Sequence, residues 1–163
     1  MAAKSQFLQI RVTPREKALL KRAAAAAGQD LSTYVLARAI PEPRVRFAEL
    51  IGALGRVEDH RYVLAELNDL LTALGAADLR DAVGEADLGG LSPFLGNYVA
   101  AMVEQAAHAR NVDPPAWTRR VPPLDAPWFA TTLESLRLHL LRASPVPFKR
   151  RNLFIDASLG ARV

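Results

Sequence analysis

The sequence predicts a mainly α-helical chain with a single short strand at its start, and three observations predict it. Between Gln6 and Thr13 the side chains alternate: Leu8, Ile10 and Val12 fall on one face, and Phe7, Gln9 and Arg11 on the other, the period of a half-buried strand. From Pro14 onward the apolar residues recur at spacings of three and four, which is a helix face. Glycine and proline then punctuate those helical runs, so everything after Thr13 reads as helix or loop.

A lone strand leaves its backbone N–H and C=O groups unsatisfied, and no second strand lies within hairpin reach. The same strand of another copy of the chain is therefore the expected partner, with Leu8, Ile10 and Val12 as the dimer core. Thr13 is placed to cap a helix with Pro14 at its first position; that helix runs through "REKALLKRAAAAA" to Gly28, a natural C-terminal stop. Gln29-Asp30-Leu31 is a turn. Ser32 is the expected N-cap of a second helix, "STYVLARAI", closed by Pro41 and Pro43.

Strand, helix, turn and helix within residues 6–40 resemble the ribbon-helix-helix DNA-binding fold. The module is similar to that of the TacA-like (DUF1778) antitoxins, on Arg11, Val12, Thr13, Pro14, Lys17, Ala18, Leu19, Leu20, Gly28, Leu31, Ser32, Tyr34 and Val35. The resemblance implies an antiparallel two-chain ribbon entering the major groove of operator DNA, with Phe7, Gln9 and Arg11 facing the bases. Arginine suits guanine and glutamine suits adenine, each through two parallel hydrogen bonds. Phe7, where a polar residue is commoner, either touches a thymine methyl or covers the dimer. Phosphate contacts are expected from Lys4 and Lys21 and from the first-turn N–H groups of Ser32, Thr33 and Tyr34, at the positive end of the second helix. The plainer alternative is an ordinary edge strand with solvated Gln9 and Arg11.

The chain has 163 residues, 50% hydrophobic and 23% charged, which suits one ordinary domain or two small ones. The expected division is a DNA-binding and dimerisation module at 1–43 and a helical partner-binding domain at 44–163. There is no cysteine, which excludes disulfides and thiolate metal sites. No apolar run approaches the roughly 20 residues of a membrane span, and "MAAKSQF" lacks the apolar core of a signal peptide, so a cytoplasmic protein is expected. The net charge of +4 conceals a segregation: residues 1–46 carry +6, residues 47–113 carry −7 and residues 114–163 carry +5. A basic N-terminal module fits phosphate contacts, whereas the acidic middle should face away from DNA.

Taken in order, "IPEPRVRF" reads as a linker, because two closely spaced prolines cannot continue the second helix. "RFAELIGALG" follows, then a helix "HRYVLAELNDLLTALG" with Val63, Leu67, Leu70 and Leu74 on one face, a short helix "ADLRDAV", and a helix carrying a stripe of Leu95, Tyr98, Val99, Met102 and Ala106. "NVDPPAWTRRVPPLDAPWF" reads as an ordered, irregular strap, "TTLESLRLHLLRA" as a helix, and "SPVPFKRRNLFI" as a tail. On "PAWT", "PWF", "LRLHLL" and "SPVPFKRRNLFI" this region resembles the accessory domain of antitoxins and DNA-binding proteins encoded beside nucleotidyltransferase-like toxins. The resemblance implies a toxin contact, for which Trp117, Trp128, Phe129, Phe148, Lys149, Arg150 and Arg151 are the candidates, aromatics and arginines being enriched at interface hot spots. The alternative is that both tryptophans are core residues and the basic cluster is a solvated turn.

No catalytic constellation emerges. His60, His108 and His139 are isolated, no glycine pair has a phosphate-loop context, and Ser92 and Ser144 precede prolines at helix starts, where capping accounts for them. No metal, cofactor or enzymatic activity is expected. The expected function is that of an antitoxin which binds operator DNA as a dimer and neutralises a toxin, nucleotidyltransferase-like or second acetyltransferase-like, through the C-terminal domain. The alternative is a free-standing repressor whose C-terminal domain senses a ligand or sets oligomeric state.

Overall fold

The structure, a computed structural model, describes residues 9–39 and 42–156. The fold is mainly helical. It divides after Ile40 into two compact units.

The first unit holds α1 (Pro14–Ala26) and α2 (Leu31–Ala39). Gly28 stops α1 with φ +65°, and the Gln29 N–H bonds back to the Ala24 carbonyl at 3.0 Å while Gly28 N–H reaches Ala25 at 3.1 Å. This left-handed glycine closure satisfies the terminal carbonyls as expected from the sequence. The N-cap of α2, however, is Asp30 rather than Ser32: one Asp30 carboxylate oxygen accepts from the Thr33 N–H at 3.0 Å, and the other accepts from the Thr33 hydroxyl. The helix thus starts one residue before Ser32, because a carboxylate satisfies the donor that the serine was expected to serve.

The second unit begins directly with α3 (Glu42–Leu54), so most of the expected linker is helix. Pro43 sits in its first turn, where proline has no hydrogen bond to lose. Then come α4 (Arg61–Ala73), α5 (Ala76–Val83) and α6 (Pro93–Ala109), the last capped by Ser92, whose hydroxyl accepts from the Leu95 N–H at 3.3 Å. The expected α6 stripe proves to be part of a wider contact: eleven of its seventeen residues are buried, including Gly96, Ala100 and Ala101. Such all-round burial belongs to a central helix, and its small residues let α4, α5 and the C-terminal elements approach closely. Phe47, Leu50, Ile51 and Leu54 of α3, Leu67 and Leu71 of α4, and Leu79 and Val83 of α5 complete this core. Gly55 permits the turn after α3, since a Cβ there would stand 3.0 Å from the Gly90 carbonyl.

A 3-10 turn (Thr118–Arg120) leads to β1 (Trp128–Phe129), α7 (Glu134–Ala143), α8 (Val146–Lys149) and β2 (Leu153–Phe154). The two strands are parallel, Trp128 opposite Leu153 and Phe129 opposite Phe154, so the region expected to be only helix and loop holds a small sheet. Asn152, left-handed at φ +57°, turns the tail into β2 and donates to the Leu124 carbonyl at 2.6 Å.

Three of the seven basic and aromatic residues expected at a toxin contact, Trp117, Phe148 and Arg151, are instead structural. Trp117 is buried and its indole N–H donates to the Val83 carbonyl at 2.8 Å; Phe148 is buried with its ring edge-on to Tyr98, centroids 5.4 Å apart. Burial also pushes the Tyr98 phenol pKa up. Arg151 is 5% exposed. One of its terminal nitrogens donates to Glu104 at 2.6 Å and to the Thr118 carbonyl at 2.7 Å, the other to Asn97 at 3.3 Å. Asn97 in turn donates to the carbonyls of Pro93 and Pro122, both at 2.9 Å. This buried network binds the proline-rich strap and the tail to α6, which is why the strap is ordered without regular structure of its own.

Candidate nucleic-acid interface

Residues 9–13 hold no regular secondary structure and, among the described residues, have no strand partner. Gln9 and Arg11 are exposed, and Ile10 and Val12, which alternate with them, are 61% and 42% exposed. Two large aliphatic side chains left in water offer an apolar surface to a partner. Phe7, Leu8 and Lys4 lie outside the described residues.

The segment is aimed by the start of α1. Thr13 accepts from the Glu16 N–H at 3.3 Å, while the Glu16 carboxylate accepts from the Thr13 N–H at 2.8 Å and from its hydroxyl at 2.9 Å. This reciprocal cap fixes the angle between extended segment and helix, and its hydrogen bonds hold the Glu16 carboxyl below its ordinary pKa. The pattern Thr-Pro-Arg-Glu carries both halves of this cap in the sequence, Thr13 at the N-cap and Glu16 three residues on.

The start of α2 departs from expectation. The Thr33 N–H is taken by the Asp30 carboxylate and the Tyr34 N–H by the Asp30 backbone carbonyl at 2.9 Å, so two of the three donors assigned to a phosphate are occupied, and a negative charge stands beside them. Lys21 remains exposed, as do Arg15, Lys17 and Arg22 on the same helix, and Arg38 on α2 lies over the Tyr34 ring at 5.5 Å. The positive charge of this unit therefore resides on side-chain cations more than on the dipole of α2. Residues 1–40 carry seven basic residues against two acidic ones. Arg44 and Arg46 do not add to that excess: Arg44 pairs with Glu85 at 2.6 Å, and Arg46 with Glu66 at 2.8 Å and Glu49 at 3.3 Å.

Of the residues expected at a protein partner, Lys149 and Arg150 remain accessible, with the Lys149 ammonium donating to the Arg142 carbonyl at 2.7 Å. Trp128 is 38% exposed over Phe94, and Phe129 stacks on Phe154 beneath the Arg137 guanidinium, 5.4 Å from its ring. No group of histidines and acids among the described residues is placed to hold a metal ion, and no described helix is long and apolar enough to cross a membrane.

An alternating exposed segment, a reciprocally capped helix, a glycine-closed turn and a second helix, all on a basic module, follow the order of elements of the ribbon-helix-helix DNA-binding unit. Comparison with family models agrees: residues 2–75 match the NikA-like family, described as mobilization protein NikA. The match runs past the ribbon-helix-helix unit and ends after α4. No curated protein and no solved structure matches the chain.

Proposed function

We propose that this chain is a sequence-specific DNA-binding protein which marks a DNA site as a ribbon-helix-helix dimer and carries, in its second unit, a docking domain for another protein. It acts in the cytoplasm and without catalysis of its own. The observation that carries this is the segment 9–12, where exposed Ile10 and Val12 alternate with exposed Gln9 and Arg11, an alternation that puts the two pairs on opposite faces of a strand. Pairing two copies of the apolar face leaves the other free for base edges in a groove wide enough to admit a two-stranded ribbon.

Two partners follow from two resemblances. The mobilization-protein match covers α3 and α4 as well as the DNA-binding unit, and so favours a role in DNA mobilisation, with the dimer presenting its site to the mobilisation machinery. The antitoxin reading rests on the similarity of the first forty residues and of the tail. It requires a toxin contact through the residues that remain accessible, Trp128, Phe129, Lys149 and Arg150. Production of the adjacent gene product in cells separates them: growth arrest relieved by this chain supports the antitoxin, whereas transfer of a plasmid that falls when this chain is deleted supports mobilisation. For the DNA reading itself, Arg11→Ala should lower discrimination between the cognate site and random DNA by roughly 1–3 kcal/mol at fixed salt, with the dimer intact. Unchanged discrimination overturns base reading by Arg11.

A further inference from the structure

We propose that the outward face of α7 docks on the outward face of α4 in a second copy of the chain, joining dimers head to tail. The first observation is α7 itself. Of its ten residues only Leu140 is buried, while Leu136, Leu138 and Leu141 are 45%, 61% and 44% exposed. Single exposed leucines are ordinary, but a cluster on one short helix marks a contact surface. Leu138 and Leu141, three residues apart, share a face and are followed on it by Arg142. The Lys149 ammonium, bonded to the Arg142 carbonyl, brings a second cation to the same end of the helix.

That face asks for an acidic surface with room for leucine side chains, and the second unit displays one on α4. Tyr62, Ala65, Glu66, Asp69, Thr72 and Ala73 recur at three- and four-residue spacings and are all exposed, Tyr62 to 77%. Alanine and threonine leave hollows between the helix ridges for Leu138 and Leu141, and Asp69 offers the opposite charge to Arg142 and Lys149. The lengths also agree, ten residues against thirteen, or about 15 Å against 20 Å.

The two faces differ, so the contact is heterologous and propagates instead of closing on itself. One helix pair buries less than the roughly 1,000 Å² of a stable interface, so each contact is weak and gains strength from the two copies in every dimer. The contact between α7 and α4 needs only a second copy of the chain, and its joining of dimers rests on the ribbon dimer proposed above.

Because the chain has no cysteine, disulfide trapping is clean. Leu138→Cys and Thr72→Cys, both at exposed positions, are prepared in separate full-length chains, mixed and mildly oxidised. A mixed disulfide exceeding either like pair by about tenfold, and falling in high salt or when Asp69→Lys is added to the Thr72→Cys chain, is the expected result. Yields no greater for the mixed pair than for the like pairs overturn it. Sedimentation of the unaltered protein at low salt should show species growing beyond the dimer with concentration, lost in the Leu138→Asp/Leu141→Asp variant. A constant mass at every concentration overturns the proposal as well, and leaves the α7 face to a different protein.

Discussion

Among the described side chains of residues 9–39 only Ala24 is fully buried, whereas α6 alone buries eleven of its seventeen residues. Both units are helical and of ordinary composition, and the contrast lies in where their apolar faces go. The second unit folds four helices, a strap and a tail around α6 and closes its core within one chain. The first leaves Ile10, Val12 and Leu19 in water. Under the function proposed above, a unit with so little described interior gains its stability from association, and its folding and dimerisation are one event. The same incompleteness leaves Gln9 and Arg11 exposed, where that function uses them.

The sharpest way to break this contrast is to strike each unit separately. Ile10→Asp puts a charge into a symmetric core twice over, where each aliphatic side chain contributes about 1.5–3 kcal/mol; it should abolish the dimer and melt α1 and α2 while the second unit keeps its transition in thermal denaturation. Loss of both transitions together would show that the units are not independent. In the other direction, Glu104→Ala leaves the buried Arg151 guanidinium unpaired and should cost the second unit about 3–5 kcal/mol, with dimer formation untouched. Adding Arg151→Met to that variant should restore much of the loss, since the uncompensated charge is then gone.

A smaller effect tests the start of α2. Asparagine caps a helix as well as aspartate does, so Asp30→Asn should keep stability but remove a negative charge facing the DNA. Affinity for all sequences should rise by about fivefold at low salt, on the order of 1 kcal/mol, in fluorescence anisotropy. No change would place the start of α2 away from phosphate. The smallest effect concerns the cap of α1. The Glu16 carboxyl titrates below its ordinary value of 4.5 in the folded chain, so its contribution is complete above that pH and is lost as pH falls through the lowered pKa. Acidification through that window should loosen the first turn of α1, visible as a lower amide protection factor at Glu16. Glu16→Gln should flatten the dependence.

Much of the fold was legible because it is local. Thr13 and Pro14 start α1, Gly28 ends it, and Ser92 starts α6, since each acts on backbone groups within three or four residues. The Asp30 cap was missed by two residues because Asp30, Ser32 and Thr33 are all competent cap residues, and only the realised backbone selects among them. Proline at 43 misled in the opposite sense, breaking a helix from inside but fitting its first turn.

The basic tail shows where local reading stops. Lys149, Arg150 and Arg151 are adjacent and chemically alike, yet Arg150 is exposed, Lys149 closes the end of α7 and Arg151 is buried against Glu104, forty-seven residues away in sequence. The two helices of the first unit, the Thr13 cap and the Gly28 stop were determined by the sequence itself, because their physics acts over a few residues. Which helix lies at the centre, which tryptophan is core and which arginine is buried were decided only by tertiary structure, because desolvation and charge pairing depend on neighbours that no sequence spacing specifies.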